Sequence, residues 1–174
     1  GAVFATLTEG TDVTGTTGFE LTSITDNGVV PSCASIVSQT STVTVNPLPV
    51  GTISNSGPIC TGDDVDLTFT ATAGTGPYDI IVEGVTYNNI ASGAVFATLT
   101  EGTDFTGTTG FELTSITDNG VVPSCASIVS QTSTVTVNPL PVGTIINSGP
   151  ICSVETGNLT FTATAATRLY EIIE

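Results

Sequence analysis

The stretch TVTVNPLPVGTI occurs twice, at Thr42–Ile53 and at Thr134–Ile145, 92 residues apart. The copy extends well beyond it. Gly1–Cys60 and Gly93–Cys152 align without a gap and differ only at Val13 against Phe105 and Ser54 against Ile146. Past the second cysteine the copies drift but stay in register. A fixed period of this length restricts the chain to tandem copies of one folding unit. Near-identity over such a span implies recent duplication. The chain also begins without Met, inside a repeat, so it is expected to be an excerpt from a longer array.

Within one period the pattern is that of strands. In VDLTFTATA (Val65–Ala73), Val65, Leu67, Phe69, Ala71 and Ala73 face one way, and Asp66, Thr68, Thr70 and Thr72 the other. Alternation with period two means one buried and one wet face. VGTISN (Val50–Asn55) reads as a first, edge strand. YDIIV (Tyr78–Val82) and VTYNN (Val85–Asn89) read as a hairpin across Glu83-Gly84. AVFATLT (Ala94–Thr100), GFELTSIT (Gly110–Thr117, with Phe111 and Leu113 inward) and ASIVSQTSTVTV (Ala126–Val137) complete seven strands. GTGP (Gly74–Pro77) and Asp118-Asn119-Gly120 supply turns, the latter with residues able to take positive φ. Helical periodicity is absent, and an all-β sandwich follows.

The prolines set the boundaries. Asn46-Pro47 and Pro49 remove two backbone donors and hold their neighbours extended, giving a short stiff joint. With joints at Pro47/Pro49 and Pro139/Pro141, residues 47–138 form one complete unit. Residues 1–46 are the C-terminal half of a preceding unit, and 139–174 the N-terminal part of the next.

Charge narrows the function. Sixteen acidic residues face one basic residue, Arg168, for a formal net charge of −15. Such a chain repels nucleic acid and anionic membrane surfaces. The sequence has no apolar run long enough to span a membrane, so membrane insertion by this segment is not expected. Without His or Lys, carboxylates have no helper for acid–base or nucleophilic chemistry, and an enzyme is not expected.

With the repeat and its punctuation in view, the chain resembles a known family. PLPVGTISNSGPICTGDDVDLTFTATAGTGPYDI, then FELTSITDNGVVPSC and STVTVNPLP, look like the tandem Ig-like repeats of giant Bacteroidetes surface proteins. The motifs concerned are the NPLP joint, the Ile59-Cys60-x-Gly62 before the second strand, and the cysteine after the sixth. The resemblance implies tandem Ig-like seven-strand β-sandwich repeats of about 92 residues. It further implies type IX secretion and a cell-surface, extracellular adhesin of the gliding-motility kind. The function expected is that of a stiff stalk giving reach for attachment. Two alternatives stand beside it: the repeats themselves bind polysaccharide, or the chain is the packing subunit of a multi-chain extracellular fibre. The expected partners are accordingly neighbouring repeats, identical chains or surface polysaccharide. The second copy departs from the pattern where Gly62, Asp63 and Asp64 become Val154, Glu155 and Thr156, and Gly76-Pro77 becomes Arg168-Leu169.

Three constellations are candidates for chemistry. Asp63, Asp64 and Asp66 offer three carboxylates for calcium, although the closing Glu of a calcium loop is missing; the alternative is a solvated acidic turn. Glu101 and Asp104, with their copies Glu9 and Asp12, are a weaker acidic pair. Tyr78, Tyr87, Phe96 and Phe105 are candidates for a sugar-stacking platform, against the alternative that they are core. No other cofactor is implied.

Cys33, Cys60, Cys125 and Cys152 fall one pair per repeat, without C-x-x-C or His, which argues against zinc and for disulfides in an oxidising compartment. The alternative is four buried, inert thiols. Pairing stays open. Cys60 precedes the second strand and Cys125 follows the sixth, which places them at opposite poles of a sandwich. If NPLP folds back, Cys33 faces Cys60 and Cys125 faces Cys152. If it does not, Cys60 is placed to bond the next unit's equivalent of Cys125, or a neighbouring molecule.

Overall fold

The structure, a computed structural model, describes residues 1, 3–13, 15–165 and 171. The Arg168-Leu169 replacement lies outside the described residues. Among the described residues every regular element is a strand, and the chain divides into two units, Gly1–Leu48 and Pro49–Glu174.

The first unit is built on one antiparallel hairpin, β1 (Thr17–Asp26) with β2 (Cys33–Val43). The second holds the remaining strands: β3 (Val50–Asn55), β4 (Ile59–Cys60), β5 (Asp64–Ala73), β6 (Tyr78–Val82), β7 (Val85–Ile90), β8 (Ala94–Thr100), β9 (Thr109–Asp118), β10 (Ala126–Val135), β11 (Val137–Asn138), β12 (Val142–Asn147) and β13 (Leu159–Ala165). The seven strands read from alternation are all present. The last of them is split at Thr136, whose carbonyl accepts the Ile59 amide at 3.0 Å. This lets β11 pair in parallel with β4.

Between Val50 and Asn138 two sheets pack face to face. One has the order β3-β5-β8 and the other β10-β9-β6-β7. Inward side chains of both sheets form a single core in which Val65, Leu67, Phe69, Ile80, Leu113, Ile116 and Val135 are essentially inaccessible. Phe69 of β5 meets Tyr78 of β6 edge-to-face, with centroids 5.4 Å apart. The inward residues expected from sequence, Val65, Leu67, Phe69, Phe111 and Leu113, are all buried. The β6–β7 turn has Glu83 at φ 51° and Gly84 at φ 75°, the two positive values of a tight hairpin whose twist matches its strands.

The strand directions give this sandwich two distinct poles. Val50, Gly74–Pro77 and Asp118–Cys125 lie at the pole where the chain enters; Cys60, Asp63, Glu101–Phe105 and Asn138 lie where it leaves. Ala126 to Asn138 runs from one to the other through the bulge at Ile128–Gln131, at most about 40 Å at ~3.3 Å per residue.

Candidate functional site

The entry pole is organised by a residue that a sequence reading passes over as part of a turn. Asp118 ends β9 and is fully buried. Its Oδ1 accepts the Cys125 amide at 2.9 Å and its Oδ2 the Thr75 amide at 3.3 Å, while its own amide donates to the Cys125 carbonyl at 2.9 Å. One side chain thus ties the β5–β6 turn to the loop that starts β10. Gly120 follows, and its role differs from the one expected. Its φ is outside the left-handed region; what it provides is space. A Cβ there would sit 2.4 Å from the Gly76 carbonyl oxygen and 2.6 Å from that of Thr75.

Pro49 belongs to the same assembly. It is buried, stacked against Gly74, and its carbonyl accepts the Ser127 hydroxyl at 2.6 Å. The joint is therefore narrower than the prolines alone imply: Pro47 is exposed while Pro49 is packed into the folded unit. Pro139 and Pro141 are exposed.

At the exit pole the acidic residues are used one by one. Asp63 Oδ2 turns back to accept the Cys60 amide at 3.1 Å. Asp64 and Asp66, on the outer face of β5, each accept a hydroxyl from β8, Thr100 and Thr98 respectively, at 2.6 Å. Glu101 accepts the Gly62 amide through one oxygen and the Gly107 amide through the other, and Asp104 accepts the Thr100 amide. These carboxyls fasten loops or bridge β5 to β8, and among the described residues no group of three or more acidic, Cys or His side chains is placed to hold a metal ion. In the second copy Glu155 does the work of Asp63, accepting the Cys152 amide at 2.9 Å. Val154, in the place of Gly62, takes φ 71°.

The aromatic candidates are drawn inward. Tyr78 packs on Phe69, and Phe105 on Phe111 with centroids 5.6 Å apart. Tyr87 and Phe96, both half-buried, meet edge-to-face at 4.9 Å. The four therefore pair into the sandwich interior and do not form a coplanar platform.

Two of the cysteines, Cys60 and Cys125, sit at the poles of the sandwich. Cys60 pairs with Asn138 at the exit, and Cys125 precedes β10 at the entry, so the two are separated by the length of the sandwich. A disulfide needs Cα atoms within about 7 Å, which removes a bond between them inside one unit. Cys33, Cys60 and Cys152 are exposed and Cys125 is half-buried, unlike a set of buried, inert thiols.

One more feature escaped the sequence reading. The outer edges of β3 and β10 are stitched together by side chains. Gln131 Oε1 accepts the Ile53 amide at 2.7 Å and its Nε2 donates to the Ile53 carbonyl at 3.2 Å, in the manner of a neighbouring peptide group. Asn55 Nδ2 donates to Ser133 Oγ at 2.8 Å and to the Thr134 carbonyl at 3.0 Å. With Ser127 on Pro49, the seam runs along both edges and satisfies strand groups that otherwise form an open template.

Compared with known proteins, the chain matches no family model, no curated sequence and no solved structure. No helix among the described residues is long and apolar enough to cross a membrane.

Proposed function

We propose that the chain is part of a linear stack of Ig-like seven-strand sandwich repeats of about 92 residues, the stalk of an extracellular surface adhesin. The observation that supports this is the placement of the two chain connections. Pro49 lies at one pole and Asn138 at the other, a placement that favours repeats joined end to end. The three-on-four strand order, with β5–β6, β7–β8 and β8–β9 each crossing between sheets, agrees with a Greek-key sandwich of that kind. Nearest-neighbour stacking then gives reach in proportion to repeat number. The polar groups of both poles fasten loops and the aromatic rings are turned inward, which favours a spacer over a sugar-binding surface.

Small-angle scattering on a polypeptide of several consecutive copies of residues 47–138 tests the reading. A rod growing by about 40 Å per copy agrees with it; a compact particle overturns it. A glycan array probed with the same polypeptide separates the roles, since specific binding would make the repeats adhesive in their own right.

A further inference from the structure

The strands that begin and end the sandwich, β3 and β10, run side by side in the same direction at a constant offset. Ser127 meets Pro49, Gln131 meets Ile53 and Ser133 meets Asn55, each pair 78 residues apart. Carried two steps toward the entry pole, that offset makes Cys125 the counterpart of Pro47. Cys125 keeps the regular course of the strand to this point, since its amide and its carbonyl both bond to Asp118.

At the exit pole the register is direct. Cys60 is the Cα partner of Asn138 in the parallel pair β4–β11, and the Thr61 amide and hydroxyl both reach the Asn138 carbonyl. Asn138 is followed by Pro139, the copy of Pro47. One cysteine of the repeat is therefore keyed to the residue that ends it, and the other to the proline that begins it. Where two repeats meet, those two residues are consecutive, with Cα atoms about 3.8 Å apart. Neighbouring strands lie about 4.8 Å from each other. Cysteines flanking the same side of the joint thus come within the roughly 7 Å between Cα atoms that a disulfide spans.

We propose that successive repeats are stapled by a disulfide from Cys60 of one repeat to the Cys125 of the repeat that follows it. The inference rests on reading the chain as tandem sandwich units. Cys60 is exposed and Cys125 half-buried, so both sulfurs are open to exchange. The bond forms by thiol–disulfide exchange with a small extracellular disulfide: the two thiols give up two protons and two electrons, the S–S bond closes, and the small disulfide leaves as two thiols. Its effect is on the joint. The prolines hold the joint extended but leave rotation of one repeat against the next, and a covalent link beside the joint removes that rotation.

Residues 49–138 close a core of their own, and among the described residues no buried side-chain nitrogen or oxygen lacks a hydrogen-bond partner, so the repeat is a unit that folds by itself. The test uses a polypeptide of two consecutive copies of residues 47–138, oxidised with glutathione disulfide, isolated as monomer, alkylated and weighed by mass spectrometry. Of its four cysteines, two per copy, two are expected to be bonded and two alkylated. Cys60→Ser in the first copy is expected to abolish the bond and leave three alkylated thiols. The same substitution in the second copy is expected to leave the bond in place. A parent polypeptide with every thiol alkylated overturns the proposal, as does a bond that survives the first-copy substitution. The 174-residue chain gives a second reading, because the proposed pairing joins no two of its own cysteines. As oxidised monomer it is expected to keep all four thiols alkylatable, and a Cys33–Cys60 link overturns the proposal. Small-angle scattering on the two-copy polypeptide separates the two levels of the reading. An elongated particle whose thiols all stay reduced loses the staple alone; a compact one takes the stacked-repeat reading with it.

Discussion

Asp118 and its copy Asp26 occupy the same place in the same local sequence, yet the structure gives them different work. Asp118 is inaccessible and accepts two backbone amides, from Cys125 at 2.9 Å and Thr75 at 3.3 Å. Asp26 is exposed and accepts one, from Gly28 at 2.8 Å. The perturbation is alanine at each position. At Asp118 the Cys125 amide is half-buried, and leaving it without an acceptor costs about 1–2 kcal/mol. The Thr75 amide is long-bonded and within reach of water, so its loss adds about 0.5 kcal/mol. The space left between Gly74 and the β9 end adds about 0.5 kcal/mol more. The sum is about 2–3 kcal/mol. At Asp26 the change is expected to stay within about 0.5 kcal/mol, as for ordinary surface sites. The assay is urea unfolding of the 174-residue chain in dilute solution, followed by far-UV circular dichroism, with the midpoint shift converted through the slope of the transition. Equal shifts for Asp118→Ala and Asp26→Ala would refute the reasoning, because the two sites share their local sequence and differ only in burial and in the number of amides served.

Gly120→Ala is expected to cost about 1–3 kcal/mol in the same assay, since its Cβ meets two backbone carbonyls, whereas Gly28→Ala meets only the Asp26 side chain at 3.2 Å and is nearly neutral. Gly62→Val, which imports the residue of the second copy into a position at φ 89° with open space around it, is expected to cost about 1–2 kcal/mol of purely conformational origin. A neutral result there would show that the turn relaxes. Gln131→Ala is expected to lower stability by about 1–2 kcal/mol and to speed exchange of the Ile53 amide above that of its strand neighbours, read by hydrogen exchange. A non-reducing peptide map of oxidised, monomeric chain is expected to contain no Cys60–Cys125 link; finding one would mean that the two poles come together.

Much of this fold is legible in the sequence because burial writes itself as alternation. Val65, Leu67 and Phe69 alternate with Asp66 and Thr68, and the strand follows from that alone. The Glu83-Gly84 hairpin is equally plain from turn chemistry. The residues that escaped detection are polar and act across the sandwich. Asp118 sits in an Asp-Asn-Gly sequence that reads as an exposed turn, and nothing nearby announces the Thr75 amide it serves. Gln131 lies in the run Ser130–Ser133, which reads as a wet face. A bulge between Ile128 and Gln131 shifts the phase, leaving Ile128 exposed and turning Gln131 toward a backbone 78 residues away. Pro49 reads as joint because proline stops strands, but its burial depends on Gly74 having no side chain to displace it. The acidic cluster of Asp63, Asp64 and Asp66 is close in sequence, yet a turn followed by a strand sends its members to separate donors.

The short parallel pair β4–β11 gains significance once tension is considered. A load applied through the chain connections pulls Pro49 one way and Asn138 the other, along the strands. The amides of Ile59 and Thr61 donate to the carbonyls of Thr136 and Asn138, and the Thr61 hydroxyl reaches the Asn138 carbonyl as well. These bonds lie across the direction of pull, so they are sheared together and cannot be peeled one at a time. The seam of Ser127, Gln131 and Asn55 lies beside them and is loaded in the same sense. A handful of contacts at the two edges of the sandwich thus meets such a load first, and the core is drawn on only after that clamp has failed.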